Sequence, residues 1–228
     1  MYKIRLTLYI KRLIFVFILT LTGCSVQVTS PDNMLSVDRS FLTGESCDPP
    51  CWYGLEINTS TKEDALSTLN QLPFIDGTSI SENETYLFNN GPLASEIIYK
   101  CVNNNIYPCG ILTFYEGKLI KNWLTINYNL TLESAADRLG VPDHLVYFWP
   151  NPYGSCEITV SWIKRGTSIT IHDENDYNEC GSIIDGNKVS PDILVDTILY
   201  TSPEILEENY VKNPGTCCTT ILWTGFKE

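Results

Sequence analysis

The sequence predicts an α+β fold in which short helices pack on one face of a mainly antiparallel sheet, with disulfide bonds holding the layers together. Two observations carry this prediction: a helix signature that occurs twice, 70 residues apart, and strand patterns with tight turns around each copy. Apolar residues form 43% of the 228-residue chain and charged residues 18%, which is typical of a folded protein.

The repeated signature is T-x-E-x-A-x3-L, at Thr61–Leu69 and again at Thr131–Leu139. Threonine can cap a helix N-terminus, and the acid that follows suits the first turn of a helix. Pro73 and Gly140 stop the two helices after about ten residues. We expect both helices to face one side of the sheet with Ala65, Leu69, Ala135 and Leu139, and to leave Lys62 and Arg138 in solvent.

Strand patterns precede and follow both helices. Two of them are hairpins, one turning at Glu116-Gly117 and one at Arg165-Gly166. The expected strand segments are Trp52–Ile57, Tyr86–Phe88, Ile97–Lys100, Ile111–Ile126 (which includes the entry to the second unit, Trp123–Ile126), Leu145–Phe148, Ile158–Ile171 and Thr219–Trp223. A third, truncated unit starts at Thr201–Ile205.

This tandem arrangement resembles the beta-lactamase inhibitor protein, and the second helix region, Asn129–Pro142, is similar to the SmpA/OmlA (BamE-like) outer-membrane lipoprotein family. Members of that family read G-x-T-x-x-x-V-x3-LG-x-P, whereas this chain has Asn129 at the glycine and Ala135 at the aliphatic position. Cys-x3-Cys-Trp-x-Gly at residues 47–54 also resembles uncharacterised bacterial lipoproteins. The resemblance implies two tandem repeats, over residues 46–122 and 123–228, the second carrying the partial unit.

The first 23 residues have the pattern of a secretory signal peptide. A basic segment, Met1–Arg12, precedes the apolar run Leu13–Leu21, which is too short to span about 30 Å of hydrocarbon. Leu21–Cys24 resembles the lipobox of bacterial lipoproteins, which implies cleavage before Cys24 and a lipid on that cysteine. The protein is therefore expected to be extracytoplasmic and anchored to the cell membrane or the outer membrane, with residues 24–45 as a polar tether.

Eight cysteines remain after Cys24, and an even number in an exported chain predicts four disulfide bonds. Spacing favours three pairings, and the adjacent Cys217 and Cys218 are expected to bond to distant partners. The eight are Cys47, Cys51, Cys101, Cys109, Cys156, Cys180, Cys217 and Cys218, of which Cys47–Cys51, Cys101–Cys109 and Cys156–Cys180 are the favoured pairs. A zinc site is the alternative, but C-x2-C pairs with nearby histidines are missing.

Motifs for catalysis are absent from the sequence. His144 and His172 belong to different strand patterns, and neither a nucleophile motif nor a phosphate-binding loop occurs. The acidic segment of residues 172–179 has oxygen ligands suited to calcium but lacks the EF-hand frame, so a solvated loop is the preferred interpretation. The sequence predicts no catalytic residue, no cofactor and no metal.

The charge and the aromatic residues bear on the partner. A formal net charge of −12 argues against nucleic-acid binding. The segment 147–153 concentrates aromatic side chains around two prolines, either as core and a rigid turn or as a binding surface formed by Tyr147, Trp149 and Tyr153. We therefore expect a non-enzymatic binding module for an envelope protein or component. The alternatives are a cell-envelope hydrolase or a redox-active lipoprotein that uses Cys217 and Cys218.

Overall fold

The computed structural model describes residues 38–44, 47–87, 91–102, 108–148, 156–173, 184–185, 188–212 and 218–226, all within the compact unit Leu35–Glu228. None of the helices in these ranges combines the length and the apolarity needed to cross a membrane.

Four short α-helices are present in the described ranges. They are α1 (Ser40–Thr43), α2 (Lys62–Leu69), α3 (Leu132–Leu139) and α4 (Pro203–Glu207); a 3₁₀ turn covers Ile163–Arg165 and a π-helical turn covers Glu208–Lys212. The two predicted helices are confirmed as α2 and α3. The hydroxyl of Thr61 accepts the Asp64 N–H and that of Thr131 accepts the Ser134 N–H, so the predicted caps form.

In the described ranges, eleven strands make up one large and one small sheet. They are β1 (Ile75–Tyr86), β2 (Leu93–Cys101), β3 (Gly110–Tyr115), β4 (Lys118–Thr125), β5 (His144–Phe148), β6 (Cys156–Trp162), β7 (Thr167–Asp173), β8 (Ile184–Asp185), β9 (Lys188–Val189), β10 (Thr197–Thr201) and β11 (Cys218–Leu222). The large sheet has nine strands in the order β1-β2-β3-β4-β10-β7-β6-β5-β11, and β8 pairs with β9.

The nine-stranded sheet is antiparallel throughout. Strands β1 to β4 form one meander after α2, and β5, β6, β7 and β10 form a second meander after α3. The last strands of the two meanders, β4 and β10, pair with each other, so the sheet runs through both without a break. The expected class, a mainly antiparallel sheet with short helices, is confirmed. The expected boundary between residues 122 and 123 lies inside β4.

One face of the sheet and the helices enclose a single apolar core. Ala65 and Leu69 of α2 and Ala135 and Leu139 of α3 all belong to it. Cross-strand neighbours share a face, and the row from Leu124 through Ile198, Ile169 and Val160 to Leu145 places this part of the core on one side of the sheet. Both helices therefore contribute to the same core.

Three strand predictions differ from the structure. Trp52–Ile57 forms turns around a Trp52–Leu55 bridge instead of a strand, because Tyr53 and Gly54 have φ of 47° and 81°. The 12-residue β1 was expected only at its end, since its side chains are mostly exposed and show no apolar alternation. Strand β10 was not expected at all, although it joins the two meanders.

Residues 38–44, which belong to the predicted tether, pack against the folded unit. Phe41 of α1 is 4% exposed within the core, and the Trp52 indole N–H donates to the Asp38 carboxylate at 2.8 Å. A four-residue helix is too short to leave a periodic signal in the sequence. Residues 38–44 thus pack with the folded unit.

Arg138 and Lys62, expected in solvent, have partners. The Arg138 guanidinium donates to Asp48 at 2.8 Å, which ties α3 to the loop between Cys47 and Cys51. Lys62 forms an ion pair with Glu82 of β1. Both side chains are partly exposed, at 28% for Arg138 and 31% for Lys62, and each takes part in an ion pair at the surface.

Two of the predicted disulfide bonds are confirmed. Cys47 pairs with Cys51 and Cys101 with Cys109, at Cα–Cα separations of 5.6 and 5.4 Å. Cys156 lies in β6 and Cys218 in β11, but their side chains are outside the described residues, as are Cys180 and Cys217. The remaining pairings stay predictions.

Candidate functional site

The face of the sheet opposite the core carries a row of apolar side chains, which we call the outer row. Cross-strand pairs align Ile98 of β2 with Ile111 of β3, Ile111 with Trp123 of β4, and Trp123 with Leu199 of β10. All four side chains are partly exposed and none belongs to the core cluster. Four apolar side chains therefore lie in line on the outer face, partly exposed and outside the core.

A polar row runs beside the outer row. Glu96 of β2, Thr113 of β3 and Lys121 of β4 are cross-strand neighbours, and the Thr113 hydroxyl donates to Glu96 at 3.3 Å. Burial lowers the pKa of the Lys121 ammonium, while the Glu96 charge raises it. The polar row thus places an acid on one side of Thr113 and a base on the other, next to the outer row.

The sequence contains a signal for the outer row that periodicity alone misses. Each of its residues adjoins a core residue along the chain, and successive residues of a strand point to opposite faces. The pairs are Ile97-Ile98, Ile111-Leu112, Trp123-Leu124 and Ile198-Leu199, with Ile97, Leu112, Leu124 and Ile198 in the core. Apolar doublets on neighbouring strands therefore predict an apolar outer face as well as a core.

The outer face over β6 and β7 is covered by the chain itself. The Tyr210 hydroxyl, in the π-helical turn after α4, forms hydrogen bonds with Ser168 and Thr159, and the Thr220 hydroxyl donates to the Tyr210 carbonyl at 2.5 Å. Ser168 continues the outer row beyond Leu199. The covered part of this face is thus rich in hydroxyls, and the partly exposed part is apolar.

His172 lies between two carboxylates. Its Nδ1 is 3.1 Å from Asp196 Oδ2 and its Nε2 is 3.6 Å from Glu157 Oε2, and the hydrogen bonds to Asp196 and then Glu157 raise its pKa to about 10. The imidazole is therefore charged at neutral pH. A histidine with carboxylates at both ring nitrogens suits an ion pair and offers no free nitrogen to a substrate.

His144 does not face an accessible nucleophile among the described residues. Its Nδ1 is buried without a hydrogen-bond partner in the described part of the chain, and its cross-strand neighbour Ser161 is fully buried. This arrangement gives no support to the hydrolase alternative.

A buried polar cluster surrounds Asp38 on the core side. Its carboxylate accepts hydrogen bonds from Ser40 N–H at 2.9 Å and from Trp52, which stacks on Tyr99 at a centroid distance of 5.9 Å. Burial, and then the Asp38 charge, raise the pKa of Tyr99, whose hydroxyl has no hydrogen-bond partner among the described residues. The cavity beside them measures about 10 Å³, enough for one water molecule. Its size excludes an organic ligand in this conformation.

The predicted binding residues are only partly described. Tyr147 lies in β5 with its side chain outside the described residues, and Trp149 and Tyr153 lie outside them entirely, as does Cys24. The aromatic segment and the lipid site therefore stay predictions. In the described ranges, no cluster of three or more His, Cys, Asp or Glu side chains is placed to hold a metal ion.

Comparisons with protein-family models, curated proteins and solved structures find no match to this chain. The resemblances drawn from the sequence accordingly remain expectations.

Proposed function

We propose that this protein is a lipid-anchored, extracytoplasmic binding module that contacts an envelope protein or component through the outer row. The observation that carries the proposal is the alignment of Ile98, Ile111, Trp123 and Leu199 across four strands, partly exposed and separate from the core. Tryptophan at the centre of an apolar patch with polar neighbours is typical of the residues that dominate protein interfaces.

The anchor in this proposal is the lipid on Cys24. Its support is the order of basic segment, apolar run and Leu21–Cys24 in the sequence. Two or three acyl chains on one residue give stable anchoring, which would hold the module at the membrane surface. Replacing Cys24 by Ala should release the protein from membranes or leave its precursor uncut.

We also propose that the two meanders are copies of one unit. In support, each follows a threonine-capped helix of eight residues, and each consists of four antiparallel strands consecutive in the sheet. Their pairing through β4 and β10 builds a sheet wide enough to present the outer row, which draws residues from both units.

The binding proposal is tested by affinity capture from envelope extracts with the full-length protein, followed by quantitative mass spectrometry. Trp123→Glu should abolish enrichment of the partner, because a charge would replace the central apolar contact. Val141→Glu is the control, since Val141 is 80% exposed and lies outside the outer row. If no protein or envelope component is enriched in a manner that depends on Trp123, the proposal fails.

A further inference from the structure

We propose that the outer row is the interface between two copies of this chain, which pair face to face about a two-fold axis lying along β3. This inference rests on the proposed function of the outer row and names its partner. The order of charges in the polar row indicates a second copy as the partner, because the two-fold rotation places each charge opposite a charge of the other sign.

The polar row reads acid, hydroxyl, base across three neighbouring strands. Glu96 lies on β2, Thr113 on the central β3, and Lys121 on β4, all in register. A two-fold axis parallel to β3 and midway between the two sheets exchanges the positions of β2 and β4. It therefore sets Glu96 of each copy opposite Lys121 of the other, and Thr113 opposite Thr113. Two intermolecular ion pairs form from one surface.

The apolar row is matched by the same rotation. Ile98 meets Trp123 of the second copy, and Ile111, on the axis, meets Ile111. Aligned sheets pack about 10 Å apart, with their side chains interdigitating, so aliphatic and indole side chains of this length reach one another. An isologous contact of this kind is the commonest form of protein oligomer.

Desolvation of Lys121 supports the ion pair. The Lys121 side chain is already partly buried in the single chain, as the lowered pKa of its ammonium reflects. The Glu96 charge of the same chain already acts on the Lys121 ammonium. The Glu96 carboxylate of a second copy adds a further acidic neighbour.

The net charge of each copy opposes pairing but does not prevent it. Repulsion between chains of formal charge −12 is screened beyond about 8 Å at physiological ionic strength. The patch spans only four strands, so the contact belongs to the weak, transient class of interfaces. Under the proposed anchoring through Cys24, both copies lie in one membrane, which raises their effective concentration and favours pairing.

The test is co-purification of two differently tagged full-length chains, co-expressed and extracted from membranes in mild detergent. The wild-type pair should co-purify. When both tagged copies carry Glu96→Lys, or both carry Lys121→Glu, co-purification should fall about tenfold or more, because two pairs of like charges then face each other. Glu96→Lys mixed with Lys121→Glu should regain it, since every contact then joins opposite charges. Exposed controls, Glu84→Lys and Lys164→Glu, should leave co-purification unchanged.

Recovery in the mixed pair cannot come from a contact within one chain, so it identifies the intermolecular ion pairs. Failure of the wild-type pair to co-purify, or equal co-purification of all pairs, would overturn the proposal. Where Lys121→Glu does not fold, Ile111→Cys provides the second measurement, because Ile111 lies on the axis and is partly exposed. A short bis-maleimide cross-linker should join two copies at this position, and Thr170→Cys on the same face should not. If pairing fails while Trp123-dependent capture of another envelope component persists, the proposed function stands without it.

Discussion

The charge and the hydrogen bonds of individual side chains in this protein depend on the groups that the fold places around them, more than on any sequence motif. His172 illustrates this, because the sequence gives only a histidine at a strand end, whereas the fold brings Asp196 and Glu157 to its two ring nitrogens. The charged imidazole links β6, β7 and the segment before β10.

The first prediction concerns His172→Gln. The hydrogen bonds to Asp196 and Glu157 raise the pKa of His172 from 6.5 to about 10, so its stabilising contribution is fully present below about pH 6.5 and is lost as pH rises through about 10. The variant should therefore lose most stability at pH 6, with a smaller difference from wild type at pH 9.5. Urea unfolding at several pH values measures this, and a difference that grows with pH would contradict the assignment.

Tyr99 presents the opposite situation, a buried hydroxyl that has no hydrogen-bond partner among the described residues. Removing such a group relieves a desolvation penalty, so Tyr99→Phe should leave stability unchanged or raise it by up to about 1 kcal/mol. Tyr200→Phe serves as a second buried tyrosine for comparison. A loss of more than about 1 kcal/mol for Tyr99→Phe in thermal unfolding would show that the hydroxyl has a partner, such as a water molecule in the adjoining cavity.

At the scale of elements, the short helices depend on the core for stability. Eight residues are too few for an isolated helix, so α2 and α3 are held by their caps and by the leucines that face the sheet. This dependence predicts large effects for buried helix positions and small effects on the outer side.

Leu139→Ala in α3 should cost about 2 to 5 kcal/mol, the range for emptying a packed leucine site, because Leu139 is 2% exposed. Asp137→Ala in the same helix should stay within about 0.5 kcal/mol, since Asp137 is exposed. Chemical unfolding of the two variants gives the comparison. Similar losses for both would mean that α3 does not pack through Leu139.

The α1 segment provides another test at this scale. Phe41→Ala should cost about 3 to 5 kcal/mol if α1 is part of the core, whereas Leu42→Ala, at a residue 39% exposed, should cost less than about 1 kcal/mol. Limited proteolysis should then cut the Phe41 variant near residues 38–44 faster than wild type. An unchanged cleavage rate would mean that α1 does not pack in the core and that the folded part begins near Cys47, as the sequence predicts.

For the whole molecule, the sheet class and the confirmed hairpins followed from local patterns, because capping threonines, turn glycines and strand alternation act within a few residues. Long-range pairing left no such signal. Strand β10 has only five residues and no sequence pattern that distinguishes it, yet its pairing with β4 connects the two meanders. The outer row depends on that pairing, since Leu199 comes from β10. In the sequence, each residue of the outer row is marked only by an adjacent apolar core residue, as in Trp123-Leu124.

Tyr147, the one residue of the predicted aromatic site that lies in a described strand, and the outer row are in different parts of the sheet. Tyr147 is in β5, at the far side of the second meander, whereas Trp123 is in β4 at its junction with the first. The aromatic residues of the sequence therefore indicate a region around β5, whereas the cross-strand register aligns the outer row on β2, β3, β4 and β10. Register is a property of the folded sheet, which explains why composition alone did not locate the outer row.

Site-specific photo-cross-linking in cells tests most directly the central claim that the outer row is a contact surface. The full-length protein would carry p-benzoylphenylalanine in place of Ile111, on the outer row, and in a second version in place of Glu133, exposed on α3. We expect a discrete cross-linked product at position 111, whether to a second copy or to another envelope protein, and none at position 133. No product at 111, or the same product at both positions, would contradict it.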